Sequence, residues 1–138
     1  MGLIIGESGN ISDVTTDKRL KTDTVIRMEI PSGKTELREY LDGQLGAAGN
    51  TDTDYVIPNG VTWHVDTFWA GSESMGYAVL TWDAAGTPEE VARICLDSSN
   101  FEMIVNKDFL GNGVKKLRIR RHNNVANRYF SARIMGCK

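Results

Sequence analysis

Residues 61–70 read with a period of two, Val61, Trp63, Val65, Thr67 and Trp69 interleaved with Thr62, His64, Asp66, Phe68 and Ala70. A period of two sends successive side chains to opposite faces, so this segment predicts a strand whose inward face carries Trp63, Val65, Thr67 and Trp69. From Tyr55 onward short apolar runs recur, separated by Gly, Pro, Asn or Asp at intervals of about 8–12 residues, the rhythm of a β-sandwich or barrel. Further strands are expected at 55–57, 75–82, 101–105, 114–121 and 126–135. Pro58-Asn59-Gly60, Asp83-Ala84-Ala85-Gly86, 108–113 and Asn123-Asn124 supply the turns. On this reading 114–121 and 126–135 form a hairpin.

The N-terminal part is less regular. Residues 1–23 have scattered charge and weak periodicity and read as an extended arm, ahead of a β domain spanning 24–138. Residues 24–30 form a strand closed by Pro31-Ser32-Gly33. Residues 37–45 suit a strand or one short helix, and 50–54 (Asn-Thr-Asp-Thr-Asp) read as a polar loop. Thr87-Pro88-Glu89-Glu90 could open a helix, with Thr at the N-cap, Pro at N1 and Glu at N3. A strand over 87–96 is preferred, because the preceding Asp83–Gly86 stretch suits a hairpin in a β-rich chain.

With 138 residues, 41% of them apolar and 25% charged, the chain matches a soluble domain with one core and argues against wholesale disorder, a collagen-like structure or a coiled-coil rod. Leu3-Ile4-Ile5 is broken by Gly6 and Glu7, far short of the ~20 apolar residues that span a bilayer, so no membrane association is expected.

A net charge of −2 conceals a gradient. Residues 1–60 hold 10 acids and 6 bases, residues 61–113 hold 8 and 2, and residues 114–138 hold no acid and 8 bases. Alternation collects Lys116, Arg118, Arg120 and Arg133 on one face of the expected hairpin, with Leu117, Ile119, Phe130, Ala132 and Ile134 on the other. Arg121 and Arg128 fall in the inward phase near the turn, where their heads can reach water. Such a basic face either pairs with acidic strands of its own chain or meets a negative partner. Nucleic acid is disfavoured by the overall negative charge and by the absence of an aromatic-plus-basic RNA motif. Leu80 and Trp82, in a strand apolar on both faces, are expected to help form a subunit contact.

Chemistry is sparse. Cys95 reads as a small buried hydrophobe and Cys137 as an exposed thiol, too few for a disulfide framework or a zinc site. His64 and Asp66 share a strand face at a spacing that two metal ligands could use, but no third ligand stands nearby. Trp63, Trp69 and Trp82 are expected in the core. No nucleophile–base set, phosphate loop or carboxylate pair emerges, so neither an enzyme nor a cofactor is expected.

Three motifs carry a resemblance: Tyr55-Val-Ile-Pro-Asn-Gly60 before a long strand, Gly111-Asn-Gly113 before a basic one, and Tyr129-Phe-Ser-Ala-Arg-Ile-Met-Gly136 at the end. From about Asp54 onward the chain resembles the small jelly-roll proteins of tailed-bacteriophage virions. The resemblance implies an all-β, jelly-roll-like antiparallel sandwich with an N-terminal arm. It also implies a capsid decoration or cement protein located in the virion, forming a homo-oligomer (trimer or dimer) on the major capsid protein or another virion component. The competing expectation is a tail-fibre carbohydrate- or receptor-binding module that uses Tyr55 or Trp69. A cupin-type enzyme ranks third, since its second histidine and glutamate are missing.

Overall fold

A computed structural model describes residues 29–138. The expected arm, 1–23, and residues 24–28 of the expected first strand lie outside them, and Glu29 and Ile30 are not in a strand. The described strands are β1 (Glu36–Leu41), β2 (Gln44–Leu45), β3 (Gly49–Val56), β4 (Thr62–Ser72), β5 (Met75–Trp82), β6 (Glu89–Asp97), β7 (Asn100–Leu110), β8 (Lys116–Asn123) and β9 (Arg128–Cys137). No helix occurs among the described residues.

The long strands pair in a nested series, all antiparallel: β5 with β6, β4 with β7, β3 with β8 and β1 with β9. A four-deep hairpin of this kind, rolled up so that β4 also meets β9 and β5 also meets β8, gives two facing sheets. Their strand orders are β1-β9-β4-β7 and β3-β8-β5-β6, with two-residue β2 attached to the start of β9. This is a jelly-roll sandwich, an all-β fold in which first and last strands lie side by side. Its core is continuous between the sheets and centres on Phe68, Phe109, Phe130, Leu37, Ile57, Leu80, Leu117, Ile119 and Ile134.

Several local expectations change. The last two strands are not a hairpin, because β8 lies between β3 and β5 while β9 lies between β1 and β4 in the opposite sheet. Both strands have an apolar inner face, and the nested pairing gives each of them two flanking strands instead of one. The polar segment 50–54 belongs to strand β3, held there by charge pairs to β8. Segment 87–96 is strand from Glu89 onward, as β6, and residues 37–45 hold β1 and β2 with Asp42 and Gly43 between them. Phe109, expected in a turn, is a core residue at the end of the long strand β7.

The alternation in β4 breaks at a bulge between Val65 and Thr67. Trp63 and Val65 point inward, and the extra residue then passes the inward phase to Phe68 and Ala70. Thr67 and Trp69 therefore leave the inward face, as a bulge of one residue dictates. Both cysteines are also reversed, and both are free thiols. Cys95 shares the outer face of edge strand β6 with Arg93, whereas Cys137 is buried on β9 between Glu36 of β1 and His64 of β4. Arg121 does not reach water. It is buried, and its Nη1 donates to the Phe130 carbonyl at 2.8 Å; burial pulls its pKa down.

Candidate functional site

Register places the charged residues of the β3-β8-β5-β6 sheet in rungs across its outer face. One rung runs Asp52–Arg120–Val79–Arg93 and the next Asp54–Arg118–Thr81–Glu90. Arg118 holds Asp54 through two bonds, Nε to Oδ1 at 2.7 Å and Nη2 to Oδ2 at 3.0 Å, and Lys116 reaches the same carboxylate at 3.2 Å. Arg93 holds Glu90 likewise, at 3.1 and 2.8 Å, and lies 4.9 Å above the Tyr77 ring. The hydrogen bond from Arg120 pulls the Asp52 carboxyl below its ordinary value, and that from Arg118 does the same for Asp54. Three of the predicted partner-binding bases, Lys116, Arg118 and Arg120, thus neutralise acids of their own sheet. A 260 Å³ cleft over this face is walled by the same paired charges and by Tyr77 and Pro88.

Arg133 is separated from those three, since β9 belongs to the other sheet. There it joins a different rung, Tyr40–Arg133–Trp69, on the outer face. The Arg133 guanidinium lies 5.2 Å above the Trp69 ring, and Tyr40 and Trp69 have centroids 6.3 Å apart with planes tilted by 34°. Arg38, Tyr40, Trp69 and Arg133 together line a cleft of 380 Å³. Sequence alternation missed this site because it counted Trp69 as inward; the glutamate- and arginine-bearing strand Glu36–Leu41, with Arg38 and Tyr40 in one phase, was the available signal.

Leu80 and Trp82 do not form an outer apolar face. Leu80 is fully buried, because the period of β5 sends Ala78, Leu80 and Trp82 inward and leaves Tyr77, Val79 and Thr81 outside. Trp82 is partly buried against Phe109, 5.1 Å between ring centroids, with the Lys115 ammonium 6.0 Å from its ring. Tyr55 is likewise spent on packing, beside Trp63 and the core.

Exposed apolar side chains are spread over the described surface, Ile104, Phe101, Met75, Val125, Tyr129 and Tyr40 among them, and one group of three lies together at one end of the sandwich. Val56, Leu110 and Val114 are 50%, 63% and 70% exposed. All three sit on the two interlocked segments that contain the Tyr55–Gly60 and Gly111–Gly113 motifs. Gly111 N donates to Val61 O at 2.8 Å, Gly113 N to Ile57 O at 3.1 Å and Ile57 N to Lys115 O at 3.2 Å. Asn112 Oδ1 accepts from the amides of Val114 and Lys115 at 2.9 and 2.7 Å, fixing the turn that presents Val114. The apolar end is therefore rigidly held, and two motifs 50 residues apart in the chain form one structural unit.

His64 sits between two carboxylates, Nδ1 at 2.6 Å from Asp108 and Nε2 at 3.0 Å from Asp66. The hydrogen bond to Asp108 raises its pKa above 6.5, with both aspartates adding attraction. Both ring nitrogens are thus engaged. Among the described residues no group of three or more His, Cys, Asp or Glu side chains is arranged to hold a metal ion.

No protein-family model matches the chain, and no curated protein matches it. Function must therefore be argued from these surfaces.

Proposed function

We propose that this chain is a non-enzymatic virion structural protein of the capsid decoration or cement type, which self-associates and adheres to a shell by burying apolar surface. The observation that carries the proposal is the rigid apolar end, where Val56, Leu110 and Val114 stay at least half exposed on segments tied together by main-chain hydrogen bonds. The jelly-roll pairing and the union of the Tyr55–Gly60 and Gly111–Gly113 motifs support the resemblance to tailed-phage virion proteins. Asp52 and Asp54 take up most of the charge of Lys116, Arg118 and Arg120, which argues for adhesion by apolar contact over a basic face seeking acids on a neighbour.

Magnitudes favour an oligomer. Fully burying a Val or Leu side chain is worth about 1.5–3 kcal/mol, so three half-exposed ones give roughly 2–5 kcal/mol. Association costs at least about 4 kcal/mol, so one apolar end against a bare surface gains little, whereas two such ends meeting each other bury twice that area and offset the cost. Copies linked in this way bind a repeating shell with avidity through their other surfaces. Light scattering on the full chain tests this. The expected masses are those of two or three copies for the unmodified protein and of one copy for Leu110→Glu with Val114→Glu, and only the former co-sediments with phage shells. A protein that is monomeric at high micromolar concentration and stays off the shells overturns the proposal.

A further inference from the structure

We propose that the cleft formed by Arg38, Tyr40, Trp69 and Arg133 binds an acidic saccharide, with a pyranose ring against the aromatic pair and a carboxylate held by the guanidinium groups. This site lies on the outer face of the β1-β9-β4-β7 sheet and goes beyond the adhesive role assigned to the apolar end.

The cleft is assembled by strand register. Tyr40, Arg133 and Trp69 come from three adjacent strands at one level, and Arg38 stands one rung away, level with Met135 and Thr67. Trp69 reaches this face only because the Asp66 bulge shifts the phase of β4; bulges commonly re-aim side chains at functional sites. An unbulged strand would have hidden the largest ring of the cleft in the core.

At 6.3 Å and 34° the two rings are in tilted contact, so a ligand has no room between them and would lie against the open side of Tyr40, which remains 52% exposed, beside the Arg133 guanidinium over Trp69. A sugar ring offers a flat array of weakly polar C–H groups that suits an aromatic face, while its hydroxyls keep contact with water. The 380 Å³ volume falls within the ~300–1,000 Å³ of small-molecule sites and accommodates a short saccharide.

The guanidinium groups decide the charge of the ligand. On the opposite sheet Arg118 and Arg120 are engaged by carboxylates in bidentate bonds of 2.7–3.0 Å. Arg133 instead touches Glu102 at 3.4 Å through Nη2 alone, and its buried Nε has no hydrogen-bond partner among the described residues. Among the described residues the one ionic contact of Arg38 is with Glu36, at 3.8 Å. These donors hold unused capacity in a planar fork that matches a carboxylate. Among the described residues none of the four that line the cleft is a carboxylate, while Glu102 and Glu36 stand at its edge against Arg133 and Arg38; the proposed role is binding.

Titrating the full chain with tetragalacturonate, with 3′-sialyllactose and with the neutral methyl ester of the first, followed by tryptophan fluorescence and calorimetry, tests the proposal. Saturable binding of at least one acidic probe is expected. For tetragalacturonate, the ester should bind about tenfold more weakly or worse, since a charge-assisted bond is lost. Arg133→Gln and Trp69→Ala should each weaken binding by a similar factor, while Arg118→Gln leaves it unchanged. If Trp69→Ala does not fold, Arg38→Gln combined with Arg133→Gln takes its place. The Leu110→Glu, Val114→Glu protein should bind the saccharide as well as the parent, which separates this site from self-association. No saturable binding by either acidic probe, or binding indifferent to the ester and to both substitutions, overturns the proposal. So does loss of the oligomer in Arg133→Gln without saccharide binding by the parent, which would make the cleft a protein contact.

Discussion

Arg120 and Asp52 face each other across β8 and β3, Nε to Oδ1 at 2.7 Å and Nη2 to Oδ2 at 2.9 Å, as a planar fork on a planar carboxylate. Together with Arg118 and Asp54 this pair fastens edge strand β3, whose Asn and Asp content would otherwise disfavour a strand. Both carboxyls have folded pKa values below the ordinary 3.8. Their contribution is thus present above pH 3.8 and disappears as pH falls through the lowered folded values. Partial exposure limits each pair to about 1 kcal/mol. Asp52→Asn should lower urea-unfolding stability by about that amount at pH 7, and the difference from the parent should shrink in strongly acidic buffer. A difference that is the same at both pH values would contradict the pairing.

His64 has the opposite sign. Its pKa is raised by Asp108 and Asp66, so the stabilisation is complete below the unfolded value of about 6.5 and fades as pH rises through the folded value. The imidazole resonances of His64 should titrate above pH 6.5 in the folded protein. Asp108→Asn should move that midpoint downward, because the first-named bond in the shift is then gone. A midpoint at or below 6.5 in the unmodified protein would refute the arrangement.

Period two made β4 legible, the spacing of turn residues marked off β5 as a short apolar run, and the hairpin residues Asp83–Gly86 decided for strand over helix at 87–96. These signals failed where side-chain pairing or backbone irregularity overrode local pattern. β3 reads as a loop because its strand character comes from Arg118 and Arg120, more than 60 residues away. Trp69 reads as core when the period of two is carried past Asp66, although polar Thr67 followed by apolar Phe68 and Ala70 already marks the change of phase at the bulge. Residues 114–121 and 126–135 read as a hairpin because neighbours in sequence usually pair, whereas the jelly roll joins β8 to β3 and β5 and β9 to β1 and β4. Arg133 was grouped with the wrong bases for the same reason.

Leu80 separates the core from a subunit contact. It is fully buried within the protomer, so Leu80→Ala should destabilise the fold by about 2–5 kcal/mol in chemical denaturation. A residue acting only between copies would leave the unfolding of a monomeric variant unchanged. The measurement is best made in the Leu110→Glu, Val114→Glu background.

Thiol accessibility distinguishes the two cysteines. Cys95 lies on the exposed face of β6 and Cys137 is buried between β1 and β4. A chromogenic disulfide reagent should titrate one thiol per chain in native buffer and two in denaturant. Cys95→Ser should remove the native signal, and persistence of that signal would place Cys137 at the surface.

Gly136 tests the central pairing of the first sheet. A Cβ at this position would collide with the carbonyl oxygen of His64, and the atoms it meets are main chain, which cannot swing aside. Relief requires β9 and β4 to move apart at the rung where Gly136 faces Val65, next to the bulge that sets the phase of Trp69. Gly136→Ala is therefore expected to destabilise the protein by about 3 kcal/mol, the upper range for overpacking. Among the described residues Gly46 has no neighbour that a Cβ would touch, and its backbone is not left-handed, so Gly46→Ala should change stability little. If the two variants unfold at the same denaturant concentration, the close approach of β9 to β4 is wrong. The register that brings Arg133 to Trp69 then falls with it, and the saccharide cleft loses its frame.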